Sequence, residues 1–197
     1  MSGKLSKLPQ FTLNLRYLAK SNFPGSLPEQ WSRLLATQTG ILDRRVVALL
    51  HGEAPDQSDL DKVAAAFGRE AAVLGSAPLY GHEGETILTE NLRHLLNSLP
   101  KGEKSRLAKS IGVRQEQFSR WEKEVRPERK NLEKMLEFFG LNPRLDLVVE
   151  PLFLSLDPVG AHAQKEWLAK RVQSASPSEI GRLFEAFKRL LPPNAPD

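Results

Sequence analysis

The chain has 197 residues, 40% of them hydrophobic and 26% charged, a balance that suits one or two small soluble domains with cores of their own. With no cysteine it holds no disulfide, thiolate zinc site or cysteine nucleophile. The net charge of +4 is confined to the middle of the chain, since residues 1–86 carry 9 cations against 9 anions, 87–140 carry 12 against 8, and 141–197 carry 7 against 7. A polyanion would be drawn to that middle segment first.

The N-terminal MSGKLSKLPQ is basic but lacks the apolar stretch of a signal peptide, and the cytoplasm is the expected location. From there to Gly68 the chain reads as a helical module. LATQTGILDRRVVALLHGEAPDQSDLDKVAAAFG, residues 35–68, aligns without a gap to LAKSIGVRQEQFSRWEKEVRPERKNLEKMLEFFG, residues 107–140. Leu, Ala, Gly, Pro, Leu, Lys, Phe and Gly coincide. Upstream, Asn14-Leu15-Arg16 returns as Asn91-Leu92-Arg93 once five extra residues in the first copy are allowed. One module therefore stands twice, over 1–68 and 86–141.

In the first copy the helix after Gly40 is apolar on nearly every side, through Leu42, Val46, Leu49 and Leu50. A helix of that kind packs against another surface, which makes Val47 and Leu50 candidate protein-interface residues. Its outward positions Asp43, Arg44, Val47, Ala48 and His51 include two, Val47 and Ala48, that offer a base edge no hydrogen bond but could touch a thymine methyl, so this copy is either a degenerate reader or an assembly surface. Asp59 is the expected N-cap of the helix that follows. Residues 69–85, with Gly75, Pro78, Gly81 and Gly84, read as a linker, and His82-Glu83 within it as a solvated turn.

The second copy starts with a helix carrying Leu92, Leu95, Leu96 and Leu99 and stopped by Pro100. Leu107, Ala108 and Ile111 mark a short second helix, and Gly112 permits the turn after it. A third helix is expected over about 114–124, and Asn131 is the expected N-cap of a fourth, with Leu132, Met135, Leu136 and Phe139 on its apolar face. At about 100° per residue, Phe118, Trp121 and Val125 of the third helix point to the core. Gln115, Glu116, Ser119, Arg120 and Lys123 then span the opposite arc.

LAKSIGV followed by QFSRWEK resembles the lambda-repressor-like, Cro-type helix-turn-helix family, also called the xenobiotic-response-element family. The resemblance covers about residues 87–140 well and 11–68 more loosely. It implies double-stranded DNA as partner, the third helix in the major groove, and a homodimer. Carried onto this sequence, it implies base contacts from Gln115, Glu116, Ser119 and Arg120, and phosphate contacts from Lys104, Arg114, Lys123 and Arg126. Two departures stand out: Arg114 occupies the usual Ser/Thr N-cap position, and Glu124 the place of a glycine that commonly ends the third helix.

Residues 142–191 read as an assembly region. RLDLVVEPLFLSL, residues 144–156, alternates as a short β-hairpin broken by Pro151 would. A helix through KEWLAKRV follows. Another begins at SPSE, with Ser176 as N-cap, Pro177 at the first position and Glu179 closing a capping box. Its stripe of Ile180, Leu183, Phe184, Phe187 and Leu191 either completes the second module's core or presents Phe184 and Phe187 to a partner subunit. Residues 192–197 are expected to be disordered.

The four histidines, His51, His82, His94 and His162, have no metal-ligand spacing. There is no phosphate-cradling glycine loop and no serine elbow. Catalysis, a metal, a cofactor, a small-molecule effector and a membrane span are therefore not expected. The expected fold is mainly α, with two tandem modules and a C-terminal segment. The expected role is transcriptional regulation, with a non-catalytic interaction subunit as the alternative.

Overall fold

Two buried asparagines organise the chain in the same way. In the computed structural model, which describes residues 5–81, 86–123 and 125–190, Asn14 donates to the carbonyls of Leu74 (2.9 Å) and Ala77 (2.7 Å) and accepts from Leu79 N–H (2.9 Å). Asn91 donates to Leu147 (2.8 Å) and Glu150 (2.7 Å) and accepts from Phe153 N–H (3.2 Å). Both side chains are fully buried, so each closes its module by satisfying backbone groups that have left water. The clamped segments also match: Leu74-x-x-x-Pro78-Leu79-Tyr80 repeats as Leu147-x-x-x-Pro151-Leu152-Phe153. The repeat thus extends past Gly68 and Gly140.

The first cluster comprises α1 (Gln10–Asn22), α2 (Pro28–Thr39), α3 (Asp43–Leu50), α4 (Gln57–Phe67) and α5 (Ala71–Ser76). The second comprises α6 (Ile87–Asn97), α7 (Glu103–Ile111), α8 (Glu116–Trp121) and α9 (Arg129–Phe138), followed by turns and a 3-10 turn at Leu152–Leu154. Between α2 and α3, and again between α7 and α8, the turn passes through a glycine at positive φ. Gly40 lies at 69° and Gly112 at 84°, each donating back to an alanine carbonyl, Ala36 or Ala108. A side chain there would cost about 1 kcal/mol. The two cores use equivalent positions with different volumes. Val46 and Leu49 fill the first, Phe118 and Trp121 the second, where the two rings lie 5.5 Å apart.

The expected linker is packed structure: α5 lies within residues 69–85, and Leu74 and Tyr80 are buried. Its Gly75 sits inside the helix and Pro78 beyond the end, so neither breaks it. The readings at His82-Glu83, at Glu124, at Leu191 and over 192–197 lie outside the described residues. Two caps also shift. Asp56 is the N-cap of α4, accepting from Asp59 N–H at 2.8 Å, while Asp59 closes the capping box from the third position. Glu128 precedes α9, leaving Asn131 inside it and buried.

No strand forms among the described residues, and the β-hairpin expected over 144–156 is replaced by turns and the 3-10 turn. The physical reason is one long-range hold and one local turn. Asn91 occupies the carbonyls and N–H a strand would pair, and the Asp146 carboxylate accepts from Val148 N–H (2.9 Å) to fold the chain back.

A third, smaller cluster joins the halves. Tyr80 and Phe153, equivalent in the repeat, meet edge to face at 5.8 Å, with Leu13 and Leu154 beside them. Arg16 crosses the junction, donating to the carbonyls of Leu50 (2.9 and 2.6 Å) and Leu154 (3.1 Å). Burial, opposed by Asp157, lowers its pKa to about 10. Lys20 lies 4.6 Å from the Phe153 ring centre and 3.8 Å from Glu90. His94, half-buried nearby, is pushed down to about 4 by burial and by the Lys20 charge.

The chain then runs into α10 (Ala161–Ser174) and α11 (Pro177–Leu190). The start of α10 is pinned to the second cluster by Ala161 N–H on the Phe139 carbonyl (2.7 Å). Further along, Trp167 donates to Glu29 of the first (3.2 Å). The capping box at Ser176 forms as the sequence suggests, Ser176 N–H on Glu179 Oε2 at 2.9 Å. Neither helix buries a residue, so α11 does not complete the core of the second module.

Candidate nucleic-acid interface

The candidate surface is built on α8, held between α7 and α9. Phe118 and Trp121 are each 3% exposed and anchor its inner face. The helix is shorter than the expected 114–124, covering six residues, Glu116–Trp121. Nothing caps its start: Arg114 and Gln115 contribute only backbone carbonyls, and the Gln115 side chain instead accepts from the Ser105 hydroxyl (2.9 Å). Its end turns early, with Val125 N–H on the Arg120 carbonyl (3.0 Å), which leaves Val125 45% exposed and not on the core face as expected.

With the aromatic pair inside, Gln115, Glu116, Ser119, Arg120 and Lys123 are all exposed, as are Arg114 and Arg126, while Lys104 is half-buried. Among the described residues, Arg114, Arg120, Lys123 and Arg126 make no ion pair. Their neighbours do: Arg106 pairs with Glu103 (2.7 Å), Arg129 with Glu133 (2.9 Å) and Lys130 with Glu128 (2.8 Å). Those four cations thus lack a neutralising partner among the described residues, whereas the paired ones are partly neutralised.

Two features escaped the sequence reading. Arg144 shares with Arg126 a shallow groove of about 460 Å³ that also touches Arg129. Arg144 sits in a turn 18 positions from Arg126, so only the tertiary fold brings them together. Gln117, on the flank of α8, lines a second groove with Arg114, Trp121 and Arg126.

The equivalent surface on α3 differs at almost every place. Leu42, Asp43, Arg44, Val47 and His51 are exposed, Leu42 by 66% and Val47 by 40%. Leu50, expected at a protein interface, is 3% exposed and belongs to the core. The helix turns it inward with Val46 and Leu49, and its carbonyl holds Arg16. Arg45, at the place of Gln117, reaches across to Asp59 of α4 (2.7 and 3.0 Å), to Glu53 and to the Ala54 carbonyl (2.9 Å).

Among the described residues no group of three or more His, Asp or Glu side chains converges to hold a metal ion, and no helix is long and apolar enough to cross a membrane. Compared with protein-family models, curated proteins and solved structures, the chain matches none.

Proposed function

We propose that the protein is a sequence-specific, double-stranded DNA-binding regulator that reads the major groove with α8 and represses by occluding a promoter. One observation carries the reading. Burial of Phe118 and Trp121 leaves Gln115, Glu116, Ser119 and Arg120 as an exposed polar row flanked by cations without ion-pair partners among the described residues. Arg120 suits guanine O6 and N7, Gln115 suits adenine, and Glu116 accepts from cytosine N4. A helix of six residues is about 9 Å long, enough to follow roughly three base pairs. Lys104, Arg114, Lys123 and Arg126 meet phosphates and set the register. The first cluster braces the second and is not a second reader, since α3 exposes Leu42 and Val47 where α8 exposes Arg114 and Ser119. The reading calls on no catalysis, metal, cofactor or small-molecule effector.

Those exposed apolar residues of α3 favour a second reading, in which the chain is a non-catalytic interaction subunit held by a protein. Selection from a random duplex pool, run on wild type and Arg120→Ala, separates the two. A defined motif, relaxed at one base pair in the variant, is the expected result, and absence of enrichment from either pool would favour the interaction subunit. Neutralising four phosphates also predicts that affinity falls on the order of 100-fold between 50 and 200 mM salt, whereas apolar association hardly changes.

A further inference from the structure

Two shallow grooves meet at Arg126. One, of about 430 Å³, joins it to Arg114 and Gln117 at the start of α8. The other, of about 460 Å³, joins it to Arg129 and Arg144. Arg114, Arg126 and Arg144 are exposed and make no ion pair among the described residues. Three carboxylates border the same grooves, and each is engaged: Glu128 with Lys130 (2.8 Å), Glu133 with Arg129 (2.9 Å), and Asp146 with the Val148 N–H (2.9 Å). With Lys130 counted, five cations stand against three anions. The outer two arginines of this line also sit on fixed backbone. Pro127, next to Arg126, is buried; the Arg144 N–H donates to Asn142 Oδ1 (2.9 Å), and its turn runs into buried Leu147, whose carbonyl Asn91 holds. The first module shows that the scaffold does not need these side chains. At the places of Arg114, Arg126 and Arg144 it has Leu42, Ala54 and, in the register of the asparagine clamp, Ala71.

We propose that Arg114, Arg126 and Arg144 form one cationic track that holds the phosphates of a single strand of duplex DNA, with Arg144 gripping a phosphate beyond those reached from α7, α8 and the loop after α8. The inference rests on the reading of α8 as a duplex reader and adds a residue that carries affinity and register, not base choice. Arginines gathered along a groove repel one another, and a phosphodiester strand relieves that repulsion while releasing its own counterions. A guanidinium also presents two parallel N–H groups to one phosphate, which fixes orientation as well as charge. Arg144 lies in the turn after α9 and outside the α7–α8 pair, so the contacted backbone extends past the roughly three base pairs that α8 spans.

Titration of the full chain against a random-sequence duplex of about 30 base pairs, at 50 to 200 mM salt, reads backbone contacts alone. With Arg144 added to the four phosphate contacts, the slope of log affinity against log salt is expected near about −4.5 for wild type. Arg144→Gln is expected to bring it to about −3.6 and to weaken binding about 5-fold at 100 mM salt, equally on every sequence. Arg144→Lys should keep the wild-type slope, and both variants should keep the wild-type denaturation midpoint because the side chain is exposed. On a duplex enriched by wild type, ethylation of single phosphates should mark one position that impairs wild type but not Arg144→Gln, on the same strand as the position lost in Arg126→Gln. An unchanged slope and ethylation pattern in Arg144→Gln, beside a reduced slope in Arg126→Gln, would overturn the role of Arg144 and leave the DNA reading standing. Marked phosphates on opposite strands would overturn the single track. Wild type that binds no duplex at any of these salt concentrations would overturn both the track and the reading.

Discussion

The helices α3 and α8 align with each other in the sequence repeat, yet they put different chemistry on the surface. In α3 the central cation, Arg45, is turned sideways into Asp59 and Glu53 and ties the helix to α4. In α8 that place holds the neutral Gln117, and the cations stand outward without ion-pair partners among the described residues. Apolar side chains follow the opposite division: α3 and the residue before it expose Val47 and Leu42, while α8 keeps Phe118 and Trp121 inside. The comparison teaches that one scaffold position ties its helix to a neighbour when it carries a cation satisfied internally, and leaves the helix surface untied when it carries a neutral residue.

What the two modules share is the asparagine clamp, and breaking it carries the largest expected effect. Asn14→Ala or Asn91→Ala each removes three hydrogen bonds to backbone groups of the clamped segment and should cost about 3 kcal/mol or more in chemical denaturation. If the repeat is structurally equivalent, the two losses should match; a loss confined to one half would show that only one clamp supports its cluster.

The junction distinguishes the halves by pH. His94 stands where the first module has Tyr17, and its folded pKa is held near 4 against an ordinary 6.5. Between those values the unfolded chain takes up the proton first. Stability is therefore complete above about pH 6.5 and falls as pH drops toward 4, by up to about 3 kcal/mol. Denaturation midpoints of wild type and His94→Tyr between pH 7 and 4 should diverge on the acid side, the variant losing that contribution.

The exposed faces of α8 and α3 come next, on the proposed reading. Arg120→Ala should lower affinity for a selected duplex by about 1–3 kcal/mol and relax one base position. Arg44→Ala on α3 should change it by less than about 0.5 kcal/mol. Equal losses in a binding titration would mean that both helices touch the duplex. The smallest effect concerns the brace. Arg45→Gln, which installs the second module's residue type, should speed amide exchange in α3 and leave α8 unchanged.

Much of this was legible in the chain. Helical spacing marked the apolar faces of α6, α7 and α9, Gly40 and Gly112 marked the turns, and Ser176–Glu179 marked the start of α11. On α8 the periodicity separated Phe118 and Trp121 from the polar arc. It misplaced Val125, because the helix ends before that residue and the angular rule no longer holds. Asp59 and Asn131 look like N-caps, but both helices are entered three residues earlier, at Asp56 before Gln57 and at Glu128 before Arg129. The match between Leu74–Tyr80 and Leu147–Phe153 was present in the sequence, hidden by a one-residue change of spacing.

The sequence by itself determined where helices begin and turn, which of their faces are apolar, and where positive charge concentrates, because these follow from local periodicity, caps and composition. The tertiary structure decided what each face meets. It placed Leu50 in the core, drew α5 into the first cluster, and left α11 uncovered. It also turned an alternating segment away from strand pairing, because Asn91, more than fifty residues upstream, holds the backbone groups a neighbouring strand would need. Amphipathicity states that a surface must be covered; only long-range packing and hydrogen bonding select what covers it.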